Sequence, residues 1–147
     1  MNTLAIDIGG TKFAVALFDD DRMIRREAMS TDRGGGREWL IPQLDAIIAQ
    51  WQREGAKFDR CGISFGGPVN FETQTVNVST HVGGWEGFPL TRHIAETAGV
   101  SVIMDNDANA GALGEYLFGA GRGCSPLFYM TLSTGIGGGI LLDGKVK

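Results

Sequence analysis

A chain of 147 residues can bury one core and is too short for two domains of the usual size. Its 2 cysteines exclude a disulfide-dense scaffold and a four-thiolate zinc site. Thirteen basic against seventeen acidic residues give a net charge of -4, which argues against a nucleic-acid or anionic-membrane footprint.

Asp7 interrupts the start of the chain where a signal peptide would need an apolar run, and no stretch reaches 18 apolar residues. The expected compartment is therefore the cytoplasm, with both cysteines reduced. Glycine is the outlier: 23 residues, against a usual share of about 7%. Such an excess needs tight turns, disorder or close backbone approach to explain it.

Leu4 to Ile8 reads as a short strand stopped by Gly9-Gly10-Thr11. Phe13 to Phe18 resumes the β signal, Asp19-Asp20-Asp21 is a turn, and Arg22 to Met29 completes a meander. Gly34-Gly35-Gly36 opens a helix from about Arg37 to Arg53, whose apolar residues recur at three and four. Pro42 belongs in its first turns, where a missing N–H does least harm. Cys61 to Phe65 is a fourth strand, ending in Gly66-Gly67-Pro68. Residues 69–90 are irregular and polar, either a functional loop or loosely ordered surface. Thr91 to Ala98 is a short helix with Thr91 as its cap, and Val100 to Met104 a fifth strand ending at Asp105-Asn106-Asp107. Ala108 to Phe118 is a small-residue helix. Leu127 to Leu132 and Ile140 to Leu142 are two late β segments, with the run Gly135 to Gly139 between them.

A meander followed by helix-linked strands predicts an α/β fold with a mixed sheet covered by helices on both faces. Right-handed crossovers set the fourth and fifth strands parallel to the first. The carboxyl ends of such strands share a crevice, so Asp7, the turn at Gly66-Gly67 and Asp107 are expected to converge. That set suits phosphoryl transfer: an acidic group for Mg²⁺, open backbone N–H groups, a Thr and a Lys near phosphate, and a base near the attacking hydroxyl. Asp7 with Gly9, Gly10, Thr11 and Lys12 supplies the first part; Asp107, helped by Asn106 and Asn109, supplies the base. The first turn is neither a Walker loop nor a GxGxxG unit, because it leads into another strand. The late glycine run looks like a hairpin whose turn embraces a phosphate.

Each feature alone has a structural alternative: an ordinary tight turn at Asp7, a helix cap at Asp107, a flexible hairpin at Gly135 to Gly139. Glu115, two turns beyond Asp107, either orients the site or solvates the helix. His81 and His93 lack metal-ligand spacing; His93 is expected to be partly exposed, and His81 has the polar loop as its setting. Trp39 and Trp51 sit at helical spacing as core residues, while Trp85 packs its loop or pins a ligand-side loop.

These segments together resemble the ROK family of sugar kinases and repressors, glucokinase-like proteins of the actin/hexokinase-like superfamily. The resemblance is carried by Asp7-Ile8-Gly9-Gly10-Thr11-Lys12, Gly66-Gly67-Pro68-Val69, the loop from Asn77 to Gly84-Trp85, Asn106-Asp107-Ala108-Asn109 with Gly114-Glu115, and Thr131 to Ile140. It implies a ribonuclease H-like/actin-like ATPase domain with a mixed five-stranded sheet, and ATP-dependent phosphorylation of a hexose or related sugar. Asp107 would be the general base and Asn106 a sugar ligand. Gly66 and Gly67 would shape the sugar pocket, with Asn77 approaching it and Glu115 assigned to the same side. Asp7 would act on Mg²⁺ through water, with Gly9, Gly10, Thr11 and Lys12 facing the transferred phosphate. Thr134, Gly135 and Gly137 would form the second phosphate loop.

Family members are longer, with two lobes, and many carry a cysteine-rich zinc motif that Cys61 and Cys124 cannot replace. The expected division is therefore an N-terminal lobe, 1–122, and the first hairpin of a second lobe, 123–147. No helix-turn-helix precedes the first strand, which disfavours DNA binding. Little turnover is expected of these residues alone, and a homodimer is expected, since the late β segments offer apolar edges. A non-catalytic sugar-sensing or assembly domain is the alternative; the positioned Asp107 favours the kinase.

Overall fold

The computed structural model describes residues 1–77, 83–132 and 135–147. Ser79, Thr80, His81, Ser133 and Thr134 lie outside them. Two compact units divide the chain, Met1–Asp105 and Asn106–Lys147.

In the first unit, β1 (Asn2–Ile8), β2 (Lys12–Asp19) and β3 (Arg22–Ser30) form the meander. They are followed by α1 (Gly36–Arg53), β4 (Arg60–Phe65), the small hairpin β5 (Val69–Asn70) and β6 (Thr75–Val76), α2 (Leu90–Ala98) and β7 (Val102–Asn106). The main sheet has five strands in the order β3-β2-β1-β4-β7. It is mixed: β1 runs antiparallel to β2 and parallel to β4. A mixed five-stranded sheet flanked by helices is the actin/hexokinase-like arrangement that the sequence predicts.

Alternation along the strands decides what faces the core. Leu4, Ile6 and Ile8 on β1 stand beside Leu17, Val15 and Phe13 on β2 and Cys61, Ile63 and Phe65 on β4. All nine are buried, in one cluster with Leu40, Leu44, Ile48 and Trp51 of α1 and Leu90 and Ile94 of α2. The intervening positions, including Ala5, Asp7, Ala14, Gly62 and Ser64, occupy the opposite side of the sheet. Asp7 is exposed for that reason.

Several local expectations are corrected. Thr91 does not cap α2; the helix begins one residue earlier, at Leu90, with Pro89 at the cap position and no side-chain capping bond. Pro89 already has the restricted φ of a helix entrance, so the start needs no hydroxyl. Asp32 launches α1 by accepting the N–H groups of Gly34 and Gly35 on Oδ1, at 3.0 and 3.1 Å. Within the polar stretch that begins at Val69, residues 69–77 carry the β5–β6 hairpin. Gln74 bridges both ways to Met104, accepting its N–H at 2.6 Å and donating to its carbonyl at 3.2 Å.

The second unit contains α3 (Asp107–Phe118) and a three-stranded antiparallel sheet, β10-β9-β8, made of β8 (Leu127–Leu132), β9 (Ile136–Leu142) and β10 (Lys145–Val146). β9 starts at Ile136, not at Ile140, so Gly137, Gly138 and Gly139 are strand residues and not a turn. Close packing accounts for them: a Cβ at Gly139 would lie 2.5 Å from the Ala108 carbonyl and 2.8 Å from the Ala112 Cβ. The sheet's other face leaves Phe128, Met130, Leu132, Ile136, Ile140 and Leu142 exposed. Among the described residues, no helix is long and apolar enough to cross a membrane.

Candidate functional site

The first glycine turn joins β1 to β2. The Gly9 N–H closes it by donating to the Lys12 carbonyl at 3.0 Å. Gly9 is thus a turn residue with its amide already used. The N–H groups of Gly10 and Thr11 donate to no acceptor among the described residues, and Thr11 and Lys12 are exposed. Two successive open N–H groups on a turn suit an anionic oxygen.

Asp7 stands on β1 directly beside Ser64 on the parallel strand β4. The Ser64 hydroxyl donates to Asp7 Oδ1 at 2.8 Å, fixing one carboxylate oxygen and leaving the other to solvent. A single exposed carboxylate fits Mg²⁺ held through water, because that ion keeps several waters of its own. Among the described residues, no group of three His, Cys, Asp or Glu could hold a metal ion.

The second glycine turn lies against the first. The Gly66 N–H donates to the Ile8 carbonyl at 2.7 Å, and a Cβ at Gly66 would approach that oxygen to 3.0 Å and the Gly9 Cα to 3.4 Å. A side chain at 66 would crowd this backbone contact. Asn77 joins the group through its N–H, which donates to the Pro68 carbonyl at 3.0 Å, and its side chain is exposed. Asp7, Gly9 to Lys12, Gly66, Gly67 and Asn77 are therefore gathered within the first unit.

Within the second unit, Asn106 caps α3 by accepting the Asn109 N–H on Oδ1 at 2.7 Å. The cap position of α3 thus belongs to Asn106 and not to Asp107. Asp107 is the first helical residue, exposed, with Oδ1 accepting the Ala108 N–H at 2.9 Å. An acidic residue there complements the helix dipole. Glu115 turns toward the far end of the helix, where its Oε2 accepts the Ala120 N–H at 2.9 Å. Gly135 is exposed, and Gly137 faces Ala108 across the α3–β9 packing.

Three residues that sequence reasoning passed over belong to the site: Ser64, and Thr31 and Arg33 at the end of β3. The Thr31 Oγ1 donates to the Gly9 carbonyl at 3.1 Å and Arg33 Nε to the Gly10 carbonyl at 2.8 Å. Alternation on β4 gives a signal for Ser64, a lone hydroxyl on the same side as Asp7. His93 is half-buried and pairs with Asp45 at 2.8 Å, and Trp51 and Trp85 are fully buried. Trp85 packs edge-on against Phe65 and Phe88, the packing role expected of its loop.

Comparison with known proteins finds the ROK family model matching residues 3–147. The glucokinase of Thermotoga maritima is 34% identical over 145 residues, covering 98% of this chain and 45% of that protein. The N-acetylmannosamine kinase of Escherichia coli is 35% identical over 147 residues, covering 99% of this chain and 49% of that protein. Among solved structures, the ROK family glucokinase from Streptomyces griseus, in complex with glucose and AMPPNP, superposes with a TM-score of 0.87 at 34% identity. That match covers 100% of this chain and 46% of the other. The chain spans about half the length of the curated relatives it matches.

Proposed function

The chain belongs to the ROK family, and from that premise we propose that it carries the phosphate-side and base-bearing elements of an ATP-dependent sugar kinase. The observation that carries this reading is the pair of open N–H groups at Gly10 and Thr11, at the end of the strand that bears Asp7. The T. maritima and S. griseus relatives, both glucokinases, support a hexose-type substrate.

In this reading Asp107 takes the proton of the sugar hydroxyl on Oδ2, since Oδ1 is engaged by Ala108. The hydroxyl oxygen then bonds to the γ-phosphorus as the bond to the ADP oxygen breaks. Asn106 orients the sugar, with Gly66, Gly67 and Asn77 on the substrate side, while Glu115 is engaged with the Ala120 N–H at the other end of α3. Gly10, Thr11 and Lys12 face the transferred phosphoryl group, with Gly9 closing their turn; Thr134, Gly135 and Gly137 serve the nucleotide. Asp7 would hold Mg²⁺ through water, and bound Mg²⁺ would neutralise charge on the phosphates. Division into a lobe, 1–122, and the start of a second, 123–147, belongs to the same reading, as do assembly as a homodimer and a cytoplasmic location.

The test is sugar-dependent ADP formation by the gene product that contains this chain. Replacing Asp107→Ala should lower kcat by about 10²- to 10⁴-fold, the usual contribution of a positioned base. Unchanged turnover in that variant would remove Asp107 from the mechanism. Sugar binding with no ADP formation by the parent protein would favour the sensing alternative. The 147 residues alone should turn over little, because water exclusion and nucleotide closure need a complete cleft.

A further inference from the structure

The Gly9–Lys12 turn is held from behind. All four of its carbonyls carry a donor: Gly9 from Thr31 Oγ1 at 3.1 Å, Gly10 from Arg33 Nε at 2.8 Å, Thr11 from the Thr31 N–H at 2.9 Å, and Lys12 from the Gly9 N–H at 3.0 Å. Three of the four come from Thr31 and Arg33.

Peptide planarity converts this into an orientation. Each N–H points opposite to the carbonyl of the preceding residue, so pinning the Gly9 and Gly10 carbonyls toward Thr31 and Arg33 turns the Gly10 and Thr11 N–H groups away from them. Those are the two open donors of the turn. An unpinned carbonyl could rotate toward an arriving anion and repel it. Three successive residues whose carbonyls are all occupied cannot do this without losing hydrogen bonds. Behind the clasp, Asp32 lies between its two members and is itself tied to the N–H groups of Gly34 and Gly35, which anchors the segment at the entrance to α1. Arg33 forms no ion pair with any described residue, so its charge is not neutralised where it crosses Gly10.

We infer that Thr31 and Arg33 are positioning residues which hold the first glycine turn in its phosphate-accepting orientation. They act through the turn, and the inference rests on the phosphoryl-transfer reading above. Preorganised donors of this kind cost no reorganisation when the anion arrives.

The experiment follows the Gly10 and Thr11 amides of the 147-residue chain by ¹⁵N–¹H NMR during titration with tripolyphosphate, a probe for the nucleotide's phosphate chain. Both amides should shift saturably. Thr31→Val keeps the shape and backbone N–H but loses the hydroxyl, and should weaken the response roughly three- to tenfold, the worth of one hydrogen bond. Thr31→Ser should restore it, and Arg33→Ala should weaken it by at least as much. In the kinase assay of the gene product, the same variants should raise the KM for ATP while leaving the KM for sugar within about twofold, a split that simple loss of folded protein would not give. Equal tripolyphosphate affinity in Thr31→Val, Thr31→Ser and parent would overturn the clasp. A parent whose two amides ignore tripolyphosphate while the gene product still phosphorylates sugar would overturn the clasp and leave the kinase standing. Amides that respond as described, with no sugar-dependent ADP formation, would support the clasp and remove the kinase.

Discussion

Ser64 donates its hydroxyl to Asp7 Oδ1 at 2.8 Å from the adjacent parallel strand. The two residues are register partners on the side of the sheet away from the core, so the bond needs no loop to place it. It restricts the Asp7 carboxylate to one orientation while leaving the second oxygen accessible.

Ser64→Ala should therefore act on metal handling more than on stability. In the gene product, kcat/KM for ATP at limiting Mg²⁺ should fall roughly three- to tenfold, since a hydrogen bond to an exposed charged group is worth about 1 kcal/mol. Saturating Mg²⁺ should recover part of the loss. A variant with parent-like Mg²⁺ dependence would show that Ser64 does not orient Asp7.

Trp85 is fully buried between Phe65 and Phe88, yet its Nε1 finds no acceptor among the described residues. Trp85→Ala should cost about 3–5 kcal/mol in urea unfolding, as truncation of a buried aromatic does. Trp85→Phe keeps the aromatic contact and removes a buried unsatisfied donor, so its cost should stay under about 1.5 kcal/mol. A large loss in the Phe variant would mean that the indole N–H has a partner in solution.

The two thiols should separate cleanly. Burial pushes the Cys61 thiol up to about 12, whereas Cys124 is exposed. Thiolate is the reactive form, so a maleimide at pH 8 should modify one cysteine in the native protein and both after unfolding. Mass mapping of the native adduct to Cys61 would contradict the packing of β4.

Glu54 is held below its ordinary value of 4.5, first by the Gln50 side-chain N–H at 2.8 Å and then by the Arg25 guanidinium, which also lies 4.6 Å from the centre of the Trp51 ring. Because the folded value is depressed, its contribution to stability is complete above about 4.5 and disappears as pH falls through the folded value. Parent and Glu54→Gln should differ most in melting temperature near neutral pH and converge as pH drops below 4.5. A gap that persisted or widened in acid would reverse the sign and refute the assignment.

Much of the fold was legible because its signals are local. Short β signals between turns marked the five sheet strands, and the spacing of Trp39, Leu40, Leu44, Ile47, Ile48 and Trp51 marked the long helix; all but Trp39, which is partly buried against the core, are buried. Strand ends marked Asp7 and the Gly66-Gly67 turn, and the Gly66 N–H meets the Ile8 carbonyl beside the first turn. The glycine excess was less legible. Glycine at 139 answers to a helix that lies on it, and glycine at 66 to the backbone of the first turn, and neither neighbour is near in sequence.

The sequence by itself determined the strand order of the meander, the acidic residue at the end of its first strand, and the resemblance carried by its glycine motifs. All of these rest on periodicity and short-range turn chemistry. Tertiary structure alone decided what stands behind the first glycine turn. Reading back from the tight turn at Asp20, Asp19 pairs with Arg22 and Phe18 with Met23, which would set Thr11 opposite Ser30. A bulge between Leu17 and Phe18 shifts the register by one, so Lys12 meets Ser30 and Thr31 reaches Thr11. One inserted residue reverses which side chains face a given strand. Thr31 reaches the carbonyls of the turn for that reason, and no local pattern in the chain announces it.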